Sequence, residues 1–451
     1  MKNIYLYVIC LWLSLTVGCV PEKKADTSHF KKEDPEILHT TVKKLTDVIV
    51  YDIFSPPVAS RIYAYTSLAA YEAIRFDKPE RYPSFAAALN GFAAMPEPEK
   101  NKAYSFPLAS VKAFMTVAQK VTFSVDTLKV FENKLLENYA AVLEKEVYDR
   151  SLQFGEEIGK AILARSAKDN YKQTRGFARY TVSESVDKWR PTPPDYMDAT
   201  EPYWSTIQPL ALDSAAQCKP PKPLDFILEK ESPFYEEFKL VHDIGKNMTQ
   251  EQKEIAKFWD DNPFVSHHTG HATFASKKMT PGGHWIAIAS LAARHTNADI
   301  HKAAQTYALT SISLFDGFIS CWEEKYRSQF IRPVTVIHQQ MDEQWEPFLQ
   351  TPPFPEYTSG HGVISSSAAT VLTQLYGDNF SFTDSTELEY GMGKRSFKSL
   401  NEAAMEASLS RLYGGIHYKF TCLTSSEQGK RVGEQVLSKL GLIKKEWVTA
   451  N

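Results

Sequence analysis

The stretch Ala59-Ser-Arg-Ile-Tyr-Ala-Tyr-Thr-Ser-Leu-Ala-Ala-Tyr-Glu-Ala-Ile-Arg75 is rich in alanine, places apolar side chains three and four residues apart, and follows Pro56-Pro57. That spacing predicts a helix buried on most sides, with the proline pair at its start. The same pattern returns at Val111–Phe123, Asp126–Ala167, Gln250–Trp259, Trp285–Ile319, Gly362–Tyr376, Asn401–Tyr413 and Ser425–Leu440. Strand-like alternation is scarce, so the expected fold class is all-α, built as helical bundles. Arg175 to Pro223 has no helical period and is rich in proline, tyrosine, tryptophan and threonine. It reads as a long irregular excursion over the surface, suited to a lid or an interface, inside one helical domain covering residues 41–451.

The chain has 451 residues, 43% of them hydrophobic and 12% aromatic, enough for one large core or two ordinary ones. A formal net charge of -3 gives no general attraction to nucleic acid or anionic lipid, so no nucleic-acid partner is expected and any anion site must be assembled locally. Met1 to Cys19 combines Lys2, the apolar run Ile4 to Val17, and Gly18-Cys19 before polar Pro21-Glu22-Lys23-Lys24. This reads as a secretory signal peptide over residues 1–19. Gly18-Cys19 resembles the lipobox of bacterial lipoproteins, although Thr16 stands where leucine is more usual. Residues 20–40 then read as a flexible tether, and the mature protein is expected in the periplasm or at the cell surface, held by lipid on Cys19. No later segment is apolar enough to span a bilayer. Outside the signal only Cys218, Cys321 and Cys422 remain, so at most one disulfide is expected.

Three segments carry chemistry. Lys325 stands seven residues before Arg332, which Pro333 follows. Thr358-Ser359-Gly360-His361 comes after the proline-rich Thr351–Pro355 and just before a helical pattern, which places a hydroxyl, a glycine amide and an imidazole at a helix N-terminus able to receive an anion. Ser410-Arg411 precedes Gly414-Gly415, where the helix breaks so that His417 can turn back toward the arginine. Each piece alone reads equally well as a solvated charge or a core histidine. Together they offer three cations, serine and glycine donors, and two histidines, the set that binds a tetrahedral oxyanion.

In that order the three segments resemble the signature of the superfamily that joins type 2 phosphatidic acid phosphatases to vanadium-dependent haloperoxidases. The resemblance implies an all-helical fold in which Lys325, Arg332, Ser359, the Gly360 amide and Arg411 hold vanadate oxygens. His417 would be the metal ligand, His361 the acid–base group, and Lys325 would also activate peroxide. Thr358 departs from the family's usual proline. Three features favour the haloperoxidase branch: the lack of later membrane helices, the match of Trp322 and Phe354 to aromatic positions of a halide pocket, and the likeness of Ser55–Tyr65 and Phe258–Phe264 to its bacterial secreted members. The pattern is most similar to iodoperoxidases, implying vanadate as cofactor and hydrogen peroxide and halide as substrates, with iodide favoured and bromide next. The alternatives are a secreted phosphatase working through a phosphohistidine on His417, and a lipoprotein that only captures the anion, against which an intact His361 argues.

Asp261 or Asp260 is expected to orient Arg411. His267-His268-Thr-Gly-His271 and His284 lack the spaced carboxylates or cysteines of a metal site, and Gly282-Gly283 suggests that His284 lies in a loop.

Overall fold

The computed structural model describes residues 30–443, except Phe264, Gly270, His271 and Ser276, and gives the backbone alone for the rest of 266–275. The expected signal peptide with Cys19, the histidine side chains of 267, 268 and 271, and Phe264 therefore lie outside the described residues.

The chain runs through α1 (Glu36–Tyr51), α2 (Pro56–Ile74), α3 (Phe106–Val121), α4 (Val125–Val142), α5 (Lys145–Ser166) and α6 (Tyr171–Thr174). After the irregular excursion come α7 (Pro233–Lys246), α8 (Gln250–Phe258), an antiparallel hairpin of β1 (Ser266–Thr269) and β2 (Ala272–Ala275), then α9 (Pro281–His295), α10 (Ile300–Ser328) and α11 (Pro333–Gln340). The last third holds α12 (Gly360–Tyr376), a small antiparallel pair of β3 (Phe382–Asp384) and β4 (Arg395–Phe397), α13 (Leu400–Tyr413) and α14 (Lys419–Lys439). The fold is all-α, as the periodicity predicts. None of the described helices is long and apolar enough to cross a membrane.

Every residue of α2 is buried, and α10 is buried along most of its length. A helix apolar on all sides must sit inside other helices, and α2 is enclosed by α3 and α10 while α10 also packs on α12. One hydrophobic core extends from Ile37 to Leu440. The closest approach is between α12 and α14, where a Cβ on Gly429 would stand 2.1 Å from the Val363 carbonyl oxygen. No residue but glycine fits there, so α14 lies directly against the start of α12.

Several boundaries differ from expectation. The tether assigned to residues 20–40 overlaps α1, whose first turn already buries Ile37, Leu38 and His39. The span Asp126–Ala167 is two helices, as is Trp285–Ile319, the second break closing with the Asp299 carboxylate accepting from the Lys302 amide at 2.8 Å. His284 lies in the first turn of α9 and not in a loop, because Thr280 caps that helix through the Gly283 amide. Cys218, Cys321 and Cys422 are all free and buried, so no disulfide forms among the described residues.

Candidate active site

The site gathers at the C-terminal end of α10, the start of α12 and the end of α13. Trp322 and Lys325 are one helical turn apart on α10 and share a face. Lys325 is 0% exposed and its ammonium donates to the carbonyls of Pro355 (2.8 Å) and Glu356 (3.0 Å). Arg332 occupies the N-cap position of α11, ahead of Pro333, and donates to the carbonyls of Phe354 (3.0 Å) and Ile416 (2.7 Å). Ser359 caps α12, its hydroxyl accepting from the Gly362 amide, so the Gly360 amide belongs to the unsatisfied first turn. Thr358, the departure from proline, is held instead by its hydroxyl, which donates to Gln428 of α14 at 2.7 Å.

Arg411 lies in the last turn of α13. The helix ends in a Schellman motif, with the Gly415 amide bonded to the Leu412 carbonyl at 3.0 Å and the Ile416 amide to the Arg411 carbonyl at 3.2 Å. Gly415 has φ +77°, and the reversal delivers His417 beside Arg411, as the glycine pair predicts. His361, Arg411 and His417 line one small cavity of about 30 Å³ together with Trp322, Phe354 and Gly360. The Trp322 and Phe354 rings are 5.0 Å apart, and the Lys325 ammonium stands 4.8 Å from the Phe354 ring.

Sequence reasoning missed Glu356. Its Oε1 faces His417 Nδ1 at 2.8 Å and accepts from the Tyr418 amide at 3.1 Å, while Oε2 accepts from the Thr421 hydroxyl at 2.9 Å. An imidazole that binds through Nε2 needs an acceptor on Nδ1, and Glu356 is the sole acid between Thr351 and His361; that requirement was the available signal. The two candidate partners of Arg411 divide their work. Asp260 stands 3.8 Å from the Arg411 guanidinium, whereas Asp261 faces His284 at 3.1 Å and His361 at 3.8 Å.

The electrostatics ask for an anion. Burial, reinforced on the cationic side by Arg332, pulls the Lys325 ammonium down to about 7, and burial with Arg411 brings Arg332 to about 10. Burial and then Arg411 hold His361 well below the usual histidine range; burial and then Arg332 do the same to His417. Glu356, the carboxylate that offsets Lys325 and Arg332, is itself raised to about 7 by burial and has its oxygens engaged by His417, Tyr418 and Thr421. Arg332 Nη2 and Arg411 Nε are buried with no hydrogen-bond partner. Buried guanidinium N–H groups are rarely left so, and His417 Nε2 meets only the Arg332 guanidinium, at 3.3 Å. A tetrahedral oxyanion with an electrophilic centre fits the two unpartnered guanidinium groups and the His417 nitrogen beside them.

A family model described as the VCPO second helical-bundle domain matches residues 305–444. No curated protein sequence matches the chain. Among solved structures, the first bacterial vanadium-dependent iodoperoxidase is 45% identical, with 90% of this chain and 96% of that one covered and a TM-score of 0.84. The holo-type bacterial vanadium-dependent chloroperoxidase is 17% identical over 92% of this chain and 99% of that one (TM-score 0.68). Its apo-type counterpart is 16% identical over 86% and 94% (TM-score 0.64), and these two show likeness of fold.

Proposed function

The chain belongs to the vanadium-dependent haloperoxidase family, and on that premise we propose that it oxidises iodide with hydrogen peroxide, using a vanadate held between α10, α12 and α13. The residues fit that cofactor: Lys325, Arg332, Arg411, the Ser359 hydroxyl and the Gly360 amide would hold its oxygens, and His417 Nε2 would hold the metal. Bound there, vanadate would supply the Lewis-acid centre that polarises peroxide toward attack by halide.

The remaining work falls to the chain. Glu356 fixes the proton of His417 on Nδ1, leaving the Nε2 lone pair for the metal. His361, kept neutral by burial and Arg411, accepts a proton from incoming peroxide and returns one to the departing oxygen. Lys325 withdraws electron density from an oxygen atom as halide attacks it. Iodide, large and polarizable, suits the wall formed by Trp322 and Phe354, and the net reaction takes iodide, peroxide and a proton to hypoiodous acid and water.

The observation that carries this reading is the pair of buried, unpartnered guanidinium nitrogens beside a His417 whose Nε2, with Nδ1 engaged by Glu356, meets only the Arg332 guanidinium. The test is triiodide formation by the mature protein with and without orthovanadate, beside hydrolysis of a phosphate ester by the vanadate-free form. Iodide oxidation that requires vanadate and is suppressed by phosphate is expected. Ester hydrolysis without vanadate-dependent iodide oxidation would make His417 a nucleophile and refute the proposal.

We also infer from residues 1–19 that the enzyme is exported and tethered by lipid on Cys19. Mass measurement of the mature N-terminus in a bacterial host checks this: an N-terminal Cys19 carrying a diacylglyceryl group on sulfur is expected, and a mature N-terminus without lipid would overturn it.

A further inference from the structure

Behind His361 lies a second buried cluster that the reaction above does not use. His284, 0% exposed, faces Asp384 through Nε2 at 2.9 Å. Its Nδ1 faces both oxygens of Asp261, at 3.1 and 3.2 Å, and Glu387 Oε1 at 3.9 Å. Asp261, Asp384 and Glu387 are each no more than 3% exposed. Asp384 has a second set of partners, the Thr386 amide and hydroxyl. Glu387 Oε1 has no hydrogen-bond partner at all.

Three buried carboxylates around one imidazole are short of positive charge, and a buried carboxylate oxygen without a donor is a group that calls for an explanation. Lys278 is paired with Asp260, outside the cluster, at 3.3 Å. Burial and the Asp261 carboxylate push the Glu387 carboxyl up to about 8, and Asp261 and Asp384 hold the His284 imidazole well above its ordinary range even though burial opposes this.

The geometry has the form of a metal triad. A ligating histidine presents one nitrogen to the metal and gives the other N–H to a carboxylate, which is the relation of His284 to Asp384. Ligand atoms of Asp261, His284 and Glu387 lie within 4.8 Å of one another, a spread that one ion can span. Asp261 also lines the active-site cavity. We propose that Asp261, His284 Nδ1 and Glu387 bind a divalent cation, with Asp384 as the outer partner of His284. One imidazole and two carboxylates suit Zn²⁺ or Mn²⁺ better than Ca²⁺ or Mg²⁺. The carboxylates missing from the histidine's neighbourhood in sequence are supplied from 23 and about 100 residues away.

The site would act on the chemistry through Asp261, whose other neighbour is His361 Nε2 at 3.8 Å. A cation fixes Asp261 in place and sets how much negative charge it shows to His361, making Asp261 a positioning residue.

Metal content decides the matter without reference to turnover. Vanadate-loaded protein is dialysed against Zn²⁺ or Mn²⁺, freed of excess, and analysed by inductively coupled plasma mass spectrometry, beside Glu387→Gln. One equivalent of Zn²⁺ or Mn²⁺ per chain in addition to vanadium is expected, falling at least tenfold in Glu387→Gln while vanadium content stays the same. A second measurement covers the case in which that variant does not fold: removing the cation from the unmutated protein with dipicolinate should lower Tm, and Zn²⁺ or Mn²⁺ should restore it. No stoichiometric cation, equal content in the variant, or a Tm indifferent to chelator would overturn the proposal and leave the cluster neutralised by protons.

Discussion

A wholly enclosed ammonium keeps its proton only weakly even when two peptide carbonyls accept from it, and burial holds Lys325 near 7. An oxyanion beside it would raise that value, so binding at a pH above 7 must take up a proton. Vanadate affinity is therefore expected to be greatest at or below pH 7 and to fall by up to about tenfold per unit above it, as vanadate titrations between pH 6 and 9 would show. Lys325→Gln should bind weakly throughout with a flatter slope. His361→Ala separates capture from turnover: iodide oxidation should fall about 10²–10⁴-fold, while vanadate affinity stays within a few-fold. Glu356→Gln does the reverse, weakening vanadate about 10–100-fold by releasing the His417 tautomer. The residues legible in the sequence are those whose partners sit inside one short motif, Ser359-Gly360-His361 above all. Glu356 acts across 61 positions, and only the need of His417 for an acceptor, met by the sole acid in that loop, points to it.

The helices were legible where periodicity is strong, and their ends where a cap is strong. Leu143-Glu144 separates α4 from α5 by an extended turn with neither glycine nor proline, so apolar spacing runs through the break unnoticed. The amphipathic α7 escaped notice although Ser232-Pro233 announces it, the serine hydroxyl accepting from the Tyr235 amide. Gly414-Gly415 was the opposite case, a break whose purpose could be read directly. At Gly415 a Cβ would meet Trp345 at 3.1 Å and Pro347 at 3.2 Å, on a backbone with φ +77°. Gly415→Ala should cost about 1–3 kcal/mol from the backbone alone and also weaken vanadate, since it displaces the turn that carries His417. Gly391, with φ +81° and nothing within 4 Å of its Cβ, is the control: Gly391→Ala should show the same strain in denaturation curves and leave vanadate affinity unchanged.

At the scale of the molecule, the irregular excursion is fastened to α10. Asp316, enclosed in that helix, accepts from the amides of Leu210 (2.8 Å), Ala211 (2.7 Å) and Leu212 (2.8 Å). Nearer the site, the Thr200 carbonyl accepts from Trp322 (3.2 Å) and Tyr326 (2.7 Å). Asp316→Ala would strand three buried N–H groups at about 1–3 kcal/mol each, and a drop in stability at the upper end of single substitutions is expected in urea titration. A loop that reads in the sequence as a lid or an interface is thus pinned as a wall at Thr200 and Leu210–Leu212. No periodicity encodes that, because the carboxylate that pins it belongs to a helix more than a hundred positions away.

Hypoiodous acid, once made, attacks sulfur before most other groups, and thiolates fastest of all. Cys218, Cys321 and Cys422 are buried and free, and burial raises all three so that each stays a protonated thiol. Product leaving the cavity meets no reactive thiol on the described surface; the softest sulfur it finds there is the thioether of Met341 or Met405, each a little over one-third exposed. The placement of three small side chains in the core thus lets a catalyst of electrophilic halogen survive its own output.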